Sequence, residues 1–408
     1  MPPFDSLQWA EVLNTAWLHG IGPILYQELK RVEGNRLIPQ KAFAELAETY
    51  YATAARNMYL FAQLQKVVEA LGEQGIDVIL LKGAALASMV YHDAGLRPMY
   101  DIDLLAKKDE LNVVEAVLLK LGYESRDDKK DGWYRKNHYH IPYDHPSQPI
   151  PIEIHWDIVQ EKPPSGIHVL ESREIKGFWK RAEEIKMGGL KAKIPCPEDM
   201  LLHLCLHFLK HRFPGKEYGF HGMGGLLQIY DISRMLAEYG GRMDWDGFLS
   251  QADLWGMQRL VATVLCVVNE LIGQKKKIEC QEWYDIFSEK NDRALASLIQ
   301  EKMLVRDNKQ PGLVRLLARV FEEHTRCKGI VAILRRIFPQ PEILSKRLPG
   351  TASRRRLLLE YLNRPFRLFF KYKDVLFHPQ KFFKDISREQ EMKKEERGVF
   401  DQFLESGK

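Results

Sequence analysis

Cysteine is scarce in this sequence, because the 408 residues contain five, scattered and without any C-x-x-C spacing. They are Cys196, Cys205, Cys266, Cys280 and Cys327. This arrangement argues against a zinc site built from cysteines and is typical of a protein in the reducing cytoplasm. The sequence also lacks a run approaching the roughly 20 apolar residues that a membrane-spanning helix needs. The first residues do not combine a basic region with an apolar one, so they predict no signal peptide.

Three widespread catalytic motifs are missing as well. The sequence contains no G-x-x-x-x-G-K-[ST] phosphate loop, no G-x-S-x-G nucleophile elbow and no H-E-x-x-H metal helix. The net charge of +5 is small and does not by itself indicate binding to nucleic acid. The chain is nevertheless long enough for a large core and for two or more structural units.

The stretch of residues 76–105 combines strand and helix patterns around a glycine turn. It contains, in order, an apolar run typical of a buried strand, a turn, a helical segment and a second strand, at Ile76–Leu81, Lys82-Gly83, Ala84–Tyr91 and Tyr100–Leu105. The second strand carries Asp101 and Asp103. Because residues i and i+2 of a strand point to the same face, we expect these two carboxylates to project together.

Carboxylates on an otherwise apolar strand repel each other and lose hydration, and a bound cation relieves both costs. A third carboxylate, Glu153, lies on the alternating strand Ile150–Ile158 and shares its face with His155. Oxygen ligands of this kind suit Mg²⁺ or Mn²⁺ rather than zinc. The pattern therefore predicts a metal site formed by Asp101, Asp103 and Glu153.

The order of these segments, L-K-G-A-A-L, then R-x-M-x-D-I-D-L-L, then I-E-I-H-W, resembles the polymerase-beta-type nucleotidyltransferase superfamily. More closely, the chain resembles the uncharacterised nucleotidyltransferase family often found among bacterial polysaccharide-biosynthesis genes. The superfamily signature is an apolar strand, a G-G or G-S turn that opens a helix, a strand with two alternate acids, and a later strand with a third acid. The three motifs lie between residues 81 and 156, and the helical flanks also resemble the narrower family.

The resemblance implies an Mg²⁺-dependent enzyme, with Mn²⁺ as the alternative ion, that transfers a nucleoside monophosphate from a nucleoside triphosphate, ATP first among them. Asp101 and Asp103 would bridge two metal ions, and Glu153 would hold the catalytic ion and help deprotonate the acceptor. The acceptor would be a hydroxyl or phosphate of a small molecule, such as a sugar derivative, or a protein side chain. The alternative from another class is a catalytically silent nucleotide-binding or scaffold protein of a membrane-associated biosynthetic complex.

The resemblance also assigns residues to the nucleotide. Gly83 fills the turn whose backbone N–H groups approach the phosphates, at the start of a helix that favours an anion. Ala84 departs from the family pattern, which has Ser or Gly there, and so lacks a hydroxyl for the triphosphate. Lys82 and Arg97 are the expected charge partners of the phosphates, with a salt bridge as the alternative role of Arg97.

Three histidines, His203, His207 and His211, repeat at i, i+4 and i+8 and so lie near one helix face. A zinc site would need a further ligand, and a structural role is commoner for helical histidines. From the family resemblance we expect this helix to pack over the cleft, with His207 and Asp231 orienting the nucleotide or the acceptor. His155 would hydrogen-bond a phosphate or fix a carboxylate.

These patterns predict an α+β fold, in which a small mixed β-sheet core is flanked by N-terminal helices and a C-terminal helical domain. The predicted units are a helical cap, a nucleotidyltransferase core, a helical domain and a basic tail, at residues 1–72, 73–194, 195–343 and 344–408. Within the core we also predict a helix, a hairpin, a short helix and a strand, at Asp109–Leu121, Gly132–Tyr143 with Ile150–Ile158, Phe178–Met187 and Leu190–Ile194.

The basic tail has an amphipathic pattern. Residues 346–384 contain eleven Lys and Arg against Glu360 and Asp374, interleaved with apolar and aromatic residues. Such a helix binds anionic membrane surfaces, which would place the protein in the cytoplasm, peripherally at the inner face of the membrane. The same pattern fits a tail helix packed on the core, or binding to polyphosphate or RNA. Nucleic acid is the least expected partner, because the basic residues lie far from the motifs.

Overall fold

A computed structural model describes seven segments of the chain, together with residues 398–399 and 402. The segments are residues 6–31, 38–127, 132–158, 175–187, 190–210, 225–272 and 290–304. The chain divides into two units, Met1–Val305 and Arg306–Lys408. The predicted basic segment, residues 346–384, lies outside the described residues, so its membrane role stays a prediction. None of the described helices is long and apolar enough to cross a membrane.

Three helices form the N-terminal region, α1 (Ser6–His19), α2 (Gly22–Arg31) and α3 (Gln40–Gly72). Helix α3 buries a stripe of apolar residues three and four positions apart, which includes Leu60, Leu64, Val67, Val68 and Leu71. Burial of one such stripe fixes an amphipathic helix against a core. The predicted helical character of this region is confirmed.

The described part of the chain contains one seven-stranded mixed sheet. Its strands are β1 (Ile79–Leu80), β2 (Ile102–Leu105), β3 (Glu124–Ser125), β4 (His140–His145), β5 (Gln148–His155), β6 (Glu183–Met187) and β7 (Leu190–Ile194). Their order across the sheet is β3-β4-β5-β2-β1-β7-β6. All four residues of β2 are buried, as expected for a central strand covered on both faces.

The central strands bring the predicted acids together. Strand β2 is antiparallel to β1 and parallel to β5, and β1 is parallel to β7. The parallel register places Asp103 opposite Glu153 and Leu105 opposite His155. Two residues that are fifty positions apart in sequence thus become neighbours on adjacent strands.

The glycine-turn stretch has the predicted order of strand, turn, helix and strand. Helix α4 (Lys82–Leu86) begins directly after Leu81 and continues into a π-helical turn, Ala87–Tyr91. Strand β1 is shorter than predicted, because only Ile79 pairs with β7 and the chain turns into α4 soon afterwards. After β2, the 3₁₀ turn Lys108–Glu110 leads into α5 (Leu111–Lys120).

The predicted strand over Gly132–Tyr143 is wrong in its first part. Residues Trp133–Asn137 form a short helix, α6, and β4 begins at His140. The buried carboxylate of Asp127 accepts a hydrogen bond of 2.6 Å from the backbone N–H of Tyr134. It thereby satisfies a first-turn donor that the helix itself leaves unpaired.

The predicted helix over Phe178–Met187 is wrong in its second part. Helix α7 spans Ile175–Arg181, and Glu183–Met187 forms β6 instead. Strand β6 lies at the edge of the sheet and pairs antiparallel with β7. The polar residues of E-E-I-K-M suit an edge strand, which has one side open to solvent.

The described helices after the sheet are α8 (Pro197–Lys210), α9 (Gly225–Tyr239), α10 (Trp245–Leu254), α11 (Gln258–Ile272) and α12 (Lys290–Leu304). Helices α10 and α11 are separated at Gly256, whose φ of +62° lies in the left-handed region that favours glycine. The predicted fold class is confirmed, because a mixed sheet is flanked by N-terminal helices and by later helices.

Candidate active site

The candidate active site lies on β2 and β5, where the parallel register places Asp103 beside Glu153. His155 follows two residues later on β5. One ligand atom from each of Asp103, Glu153 and His155 lies within 4.8 Å of the others. Groups of His, Cys, Asp and Glu side chains can hold a metal ion when their ligand atoms lie this close together. Within the described segments, Asp103, Glu153 and His155 form such a group.

Asp103 is buried, and one of its oxygens has two partners. Lys82 Nζ lies 2.5 Å from Asp103 Oδ1, and His155 Nε2 lies 2.8 Å from the same atom. Burial alone would raise the pKa of this carboxyl, but the Lys82 ammonium and the His155 hydrogen bond outweigh burial and hold the pKa well below its usual range. Asp103 is therefore ionised at neutral pH, and His155 fixes this carboxylate, one of the two roles predicted for it.

Lys82 is the counter-ion of the site. Burial alone would lower the pKa of its ammonium, but the facing carboxylates, above all Asp103, raise that pKa above its ordinary value. The Lys82 backbone has a φ of +46°, in the left-handed region. This conformation costs a non-glycine residue about 1 kcal/mol or more. The strained residue turns the chain sharply from β1 into α4 and directs its side chain toward the acids.

Asp101 differs from Asp103, although the sequence presents the two as a pair. It lies just before β2, is partly exposed, and has no hydrogen-bond partner among the described residues. Burial and then the charge of Asp103 raise the pKa of Asp101 to about 6, against the lowering effect of Lys82. Asp101 is not a member of the compact ligand group on β2 and β5, so its predicted role as a metal ligand stays a prediction.

His140 on β4 brings a second imidazole to the site. Its ring stacks on that of His155, with centroids 4.9 Å apart and an interplanar angle of 24°. Glu153 Oε2 lies 3.6 Å from His155 Nε2 and 3.8 Å from His140 Nε2. The sequence around His140, R-K-N-H-Y-H, is rich in histidine, and this clustering is the sequence signal for His140.

Gly83 lies at the start of α4 against two side chains. A Cβ at this position would lie 2.6 Å from Arg97 Nη1 and 2.9 Å from the side chain of Met99. A larger residue here would displace Arg97 or Met99, so packing favours glycine in addition to the approach of phosphates that the sequence predicts. The next residue, Ala84, is buried and offers no hydroxyl.

Arg97 and Asp231, both predicted to contact the nucleotide, form an ion pair with each other. Arg97 Nε donates to Asp231 Oδ1 at 2.9 Å, and Nη2 donates to Oδ2 at 2.8 Å. The Tyr91 hydroxyl donates to Asp231 Oδ1 at 2.6 Å. The salt bridge considered as the alternative role of Arg97 is therefore present. Both oxygens of Asp231 therefore accept hydrogen bonds from side chains of the protein, and the predicted contact of Asp231 with the nucleotide stays a prediction.

His207 lies on α8, and its Nδ1 is 3.1 Å from the side-chain amide of Gln228 on α9. His203, on the same helix, is buried, and His211 lies outside the described residues. Neither His203 nor His207 belongs to a metal-binding group in the described segments, so the zinc interpretation gains no support. The predicted role of His207 in orienting the nucleotide stays a prediction.

Two polar residues of α3 hold the loop that carries Arg97, and the sequence patterns assign them no function. Arg56 Nε donates to the carbonyl of Met99 at 2.8 Å, and Asn57 Nδ2 donates to the carbonyl of Arg97 at 2.7 Å. The sequence signal for Arg56 is that it is the sole charged residue within positions 49–65, the middle part of α3.

The strand pairing, the glycine turn and the acids together define a nucleotidyltransferase type of site. A family model described as "Uncharacterised nucleotidyltransferase" matches residues 5–273, which is more than half of the chain and includes all three acids. The chain therefore belongs to this nucleotidyltransferase family, and the predicted family and transferase class are confirmed. No curated protein matches the chain.

Three solved structures show a weak likeness to the chain. The antibiotic-resistance factor ANT(2'')-Ia, as a solution structure, is 12% identical, with 53% of this chain and 97% of that chain covered and a TM-score of 0.32. Its complex with adenylyl-2''-tobramycin is 12% identical, with 48% and 93% covered and a TM-score of 0.29. An antigenic nucleotidyltransferase-like protein from Paracoccidioides brasiliensis is 16% identical, with 50% and 87% covered and a TM-score of 0.27. At these scores the family assignment rests on the family model.

Proposed function

We propose that this protein is an Mg²⁺-dependent nucleotidyltransferase, with Mn²⁺ as the alternative ion, which moves a nucleoside monophosphate from a nucleoside triphosphate, ATP first, to an acceptor. The acceptor group is a hydroxyl or phosphate of a small molecule, such as a sugar derivative, or a protein side chain. The observation that carries the proposal is the in-register pair Asp103 and Glu153, which lies beside a glycine turn that starts with a buried lysine.

The residues present fit a divalent cation. Asp103, Glu153 and His155 offer closely spaced ligand atoms, and carboxylate oxygens are the donors that Mg²⁺ and Mn²⁺ prefer. Together with Asp101, the site has three carboxylates facing the ammonium of Lys82, and burial and then the charge of Asp103 raise the pKa of Asp101. Asp101, Asp103 and Glu153 would hold the ion. When bound, it supplies positive charge to the reacting phosphate and makes the acceptor hydroxyl more acidic.

In the proposed reaction an acceptor oxygen attacks the α-phosphorus of the triphosphate. The bond between this phosphorus and the oxygen that bridges to the β-phosphate breaks, and pyrophosphate leaves. Glu153, whose side chain is more exposed than those of Asp103 and His155, takes the proton of the acceptor. Lys82 offers a positive charge to the phosphates at the turn, and His155 keeps the Asp103 carboxylate in place.

The proposal is tested by nucleotide binding and by turnover in the same set of proteins. Thermal shift is measured for the wild-type protein with ATP, GTP, CTP and UTP, each with and without Mg²⁺ or Mn²⁺, and pyrophosphate release is followed with and without a small-molecule cell extract as the acceptor source. Glu153→Gln is the site variant. Glu238→Gln, which changes an exposed carboxylate on α9, is the matched control.

We expect a metal-dependent rise in melting temperature with at least one nucleotide, because a ligand that binds the folded state stabilises it. Glu153→Gln should release pyrophosphate at least about 100-fold more slowly, the usual range for loss of a general base, and Glu238→Gln should match the wild type. Nucleotide binding without any pyrophosphate release would favour the silent nucleotide-binding or scaffold alternative. Absence of a shift with all four nucleotides would refute the proposed function.

A further inference from the structure

Among the described residues, the Arg97 guanidinium is held mainly along one edge. Its Nε and Nη2 both donate to the Asp231 carboxylate, at 2.9 and 2.8 Å. The remaining nitrogen, Nη1, has one hydrogen bond, a long one of 3.4 Å to the carbonyl of the adjacent Pro98. A planar guanidinium can bind two groups on different edges at once. Asp231 therefore fixes the orientation of Arg97 and leaves Nη1 with hydrogen-bonding capacity.

The nitrogen Nη1 lies against the glycine turn. It is 2.6 Å from the position that a Cβ would take at Gly83, so the guanidinium edge and the first residues of α4 are in direct contact. Arg97 is also close enough to Asp101 to lower the pKa of that carboxyl. The arginine thus reaches both the phosphate-binding turn and the acids, while its other edge is anchored on α9.

The anchor itself is built from several parts of the fold. Asp231 is buried on α9 and also accepts a hydrogen bond from Tyr91, the last residue of the π-helical turn. The same helix reaches two further carbonyls of that turn, because Arg234 Nη2 donates to Val90 at 3.1 Å and Tyr239 to Met89 at 3.3 Å. Helix α9 therefore holds both Arg97 and the segment that follows the glycine turn.

Stability alone does not account for a buried ion pair of this kind. Removing two charges from water costs about as much as their attraction returns, so apolar residues of similar volume would serve the core equally well. This ion pair also directs one edge of the guanidinium toward a phosphate-binding turn, and apolar residues could not bind an anion there. Bidentate anchoring also lowers the conformational freedom that an arginine loses when it binds an anion.

We propose that Asp231 is a positioning residue, which holds Arg97 so that its Nη1 binds the β- and γ-phosphates of the nucleotide, the part that leaves as pyrophosphate. This inference rests on the proposed function and deepens it. It assigns to the helical region after the sheet an indirect part in nucleotide binding, because Asp231 acts through Arg97 and does not itself touch the nucleotide.

The test measures affinity for three probes in the presence of Mn²⁺, which are α,β-methylene-ATP, pyrophosphate and AMP. The variants are Asp231→Asn, which keeps the shape of the side chain, and Arg97→Lys, which keeps the charge and loses the fork. The control variant is Asp199→Asn. It breaks a second bidentate pair, in which the exposed Arg181 contacts the buried Asp199 with two bonds of 2.9 Å.

We expect Asp231→Asn and Arg97→Lys to bind α,β-methylene-ATP and pyrophosphate at least tenfold more weakly, with AMP affinity within twofold of the wild type. Asp199→Asn should lower the melting temperature and leave all three affinities within twofold. A loss that is equal for AMP and for the triphosphate analogue would indicate a structural role only and would overturn the proposal, and so would wild-type affinity in both site variants.

A variant with the two residues of the ion pair exchanged distinguishes a structural role of Asp231 from its positioning of Arg97. Arg97→Asp combined with Asp231→Arg restores the ion pair but places a carboxylate at the glycine turn. We expect this double variant to regain melting temperature relative to either single exchange while its affinity for the triphosphate analogue stays at least tenfold reduced. Recovery of both properties would overturn the proposal. If the wild type binds none of the three probes, the proposed function itself fails, whereas binding that is indifferent to these variants refutes this inference alone.

Discussion

Replacement of Asp101 by asparagine should stabilise the metal-free protein at neutral pH. Burial and the charge of Asp103 raise the pKa of Asp101 from 3.8 to about 6. Because this folded-state pKa lies above the unfolded value, the folded protein favours the protonated form, and stability is lost as the pH rises from about 4 through about 6. A shift of about two units corresponds to about 3 kcal/mol. Since the carboxylate is partly exposed and screened by solvent, we expect a gain of about 1–2 kcal/mol in Asp101→Asn.

Replacement of Asp103 by asparagine should instead lower the free energy of unfolding. Asp103 accepts from Lys82 and His155 at one oxygen, and the Lys82 side chain is largely buried, at 15% exposure. Asp103→Asn leaves this ammonium without its carboxylate. Removal of one partner from a buried pair costs about 3–5 kcal/mol, and we expect the lower end because Lys82 keeps some contact with water.

Urea unfolding in EDTA, at pH 4 and pH 7.5, measures both effects. The Asp101→Asn gain should be present at pH 7.5 and mostly vanish at pH 4, where the folded-state carboxyl is protonated and the unfolded-state carboxyl, with a pKa of 3.8, is about half protonated. Asp253→Asn, an exposed carboxylate on α10, is the control and should stay within about 0.5 kcal/mol of the wild type at both pH values. A destabilised Asp101→Asn at pH 7.5, or equal effects of the two site variants, would refute the electrostatic account of the site.

Three further outcomes follow from the same geometry. Gly83→Ala should lower stability by about 1–3 kcal/mol, because its Cβ would lie 2.6 Å from Arg97 Nη1, and denaturant unfolding with an unchanged midpoint would contradict this. Lys82→Met should bind Mn²⁺ roughly tenfold more tightly, because no ammonium then competes with the cation for Asp103. A spin-resonance titration measures this affinity, and weaker binding would argue that Lys82 instead shapes the ligand geometry. The Cys196 thiol, whose pKa burial raises to about 12, should react with Ellman's reagent at pH 8 far more slowly than free cysteine. Rapid labelling of Cys196 itself, identified by peptide mass spectrometry, would count against that burial.

The elements of the site could be predicted because they are local patterns. The apolar run before Gly83, the alternation around Asp103 and the alternation around Glu153 each identify a strand and the face to which its acid points. Their meeting follows from the family resemblance and is borne out by the parallel register of β2 and β5. The helices of the N-terminal region could be predicted equally well, because their apolar periodicity is long and regular.

The remaining features depend on contacts between distant parts of the chain. Asp101 and Asp103 are equivalent in the sequence, and they become different because β2 begins between them and Lys82 pairs with the second. Arg97 and Asp231 are 134 positions apart, so no local pattern joins them. Helix α6 replaces a predicted strand because a carboxylate from outside the helix binds its first turn.

The parallel pairing of β2 with β5 also has a consequence for the order of folding. Hairpin β4–β5 closes over a short turn, whereas the contact of Asp103 with Glu153 requires closure across fifty residues. Non-local pairings of this kind form slowly, and here two like charges must approach as they form. We expect Mn²⁺ to accelerate refolding by screening that late approach, and to leave the early helical signal unchanged, which stopped-flow circular dichroism and fluorescence would resolve. The cation that we propose for the site would then also take part in assembling it.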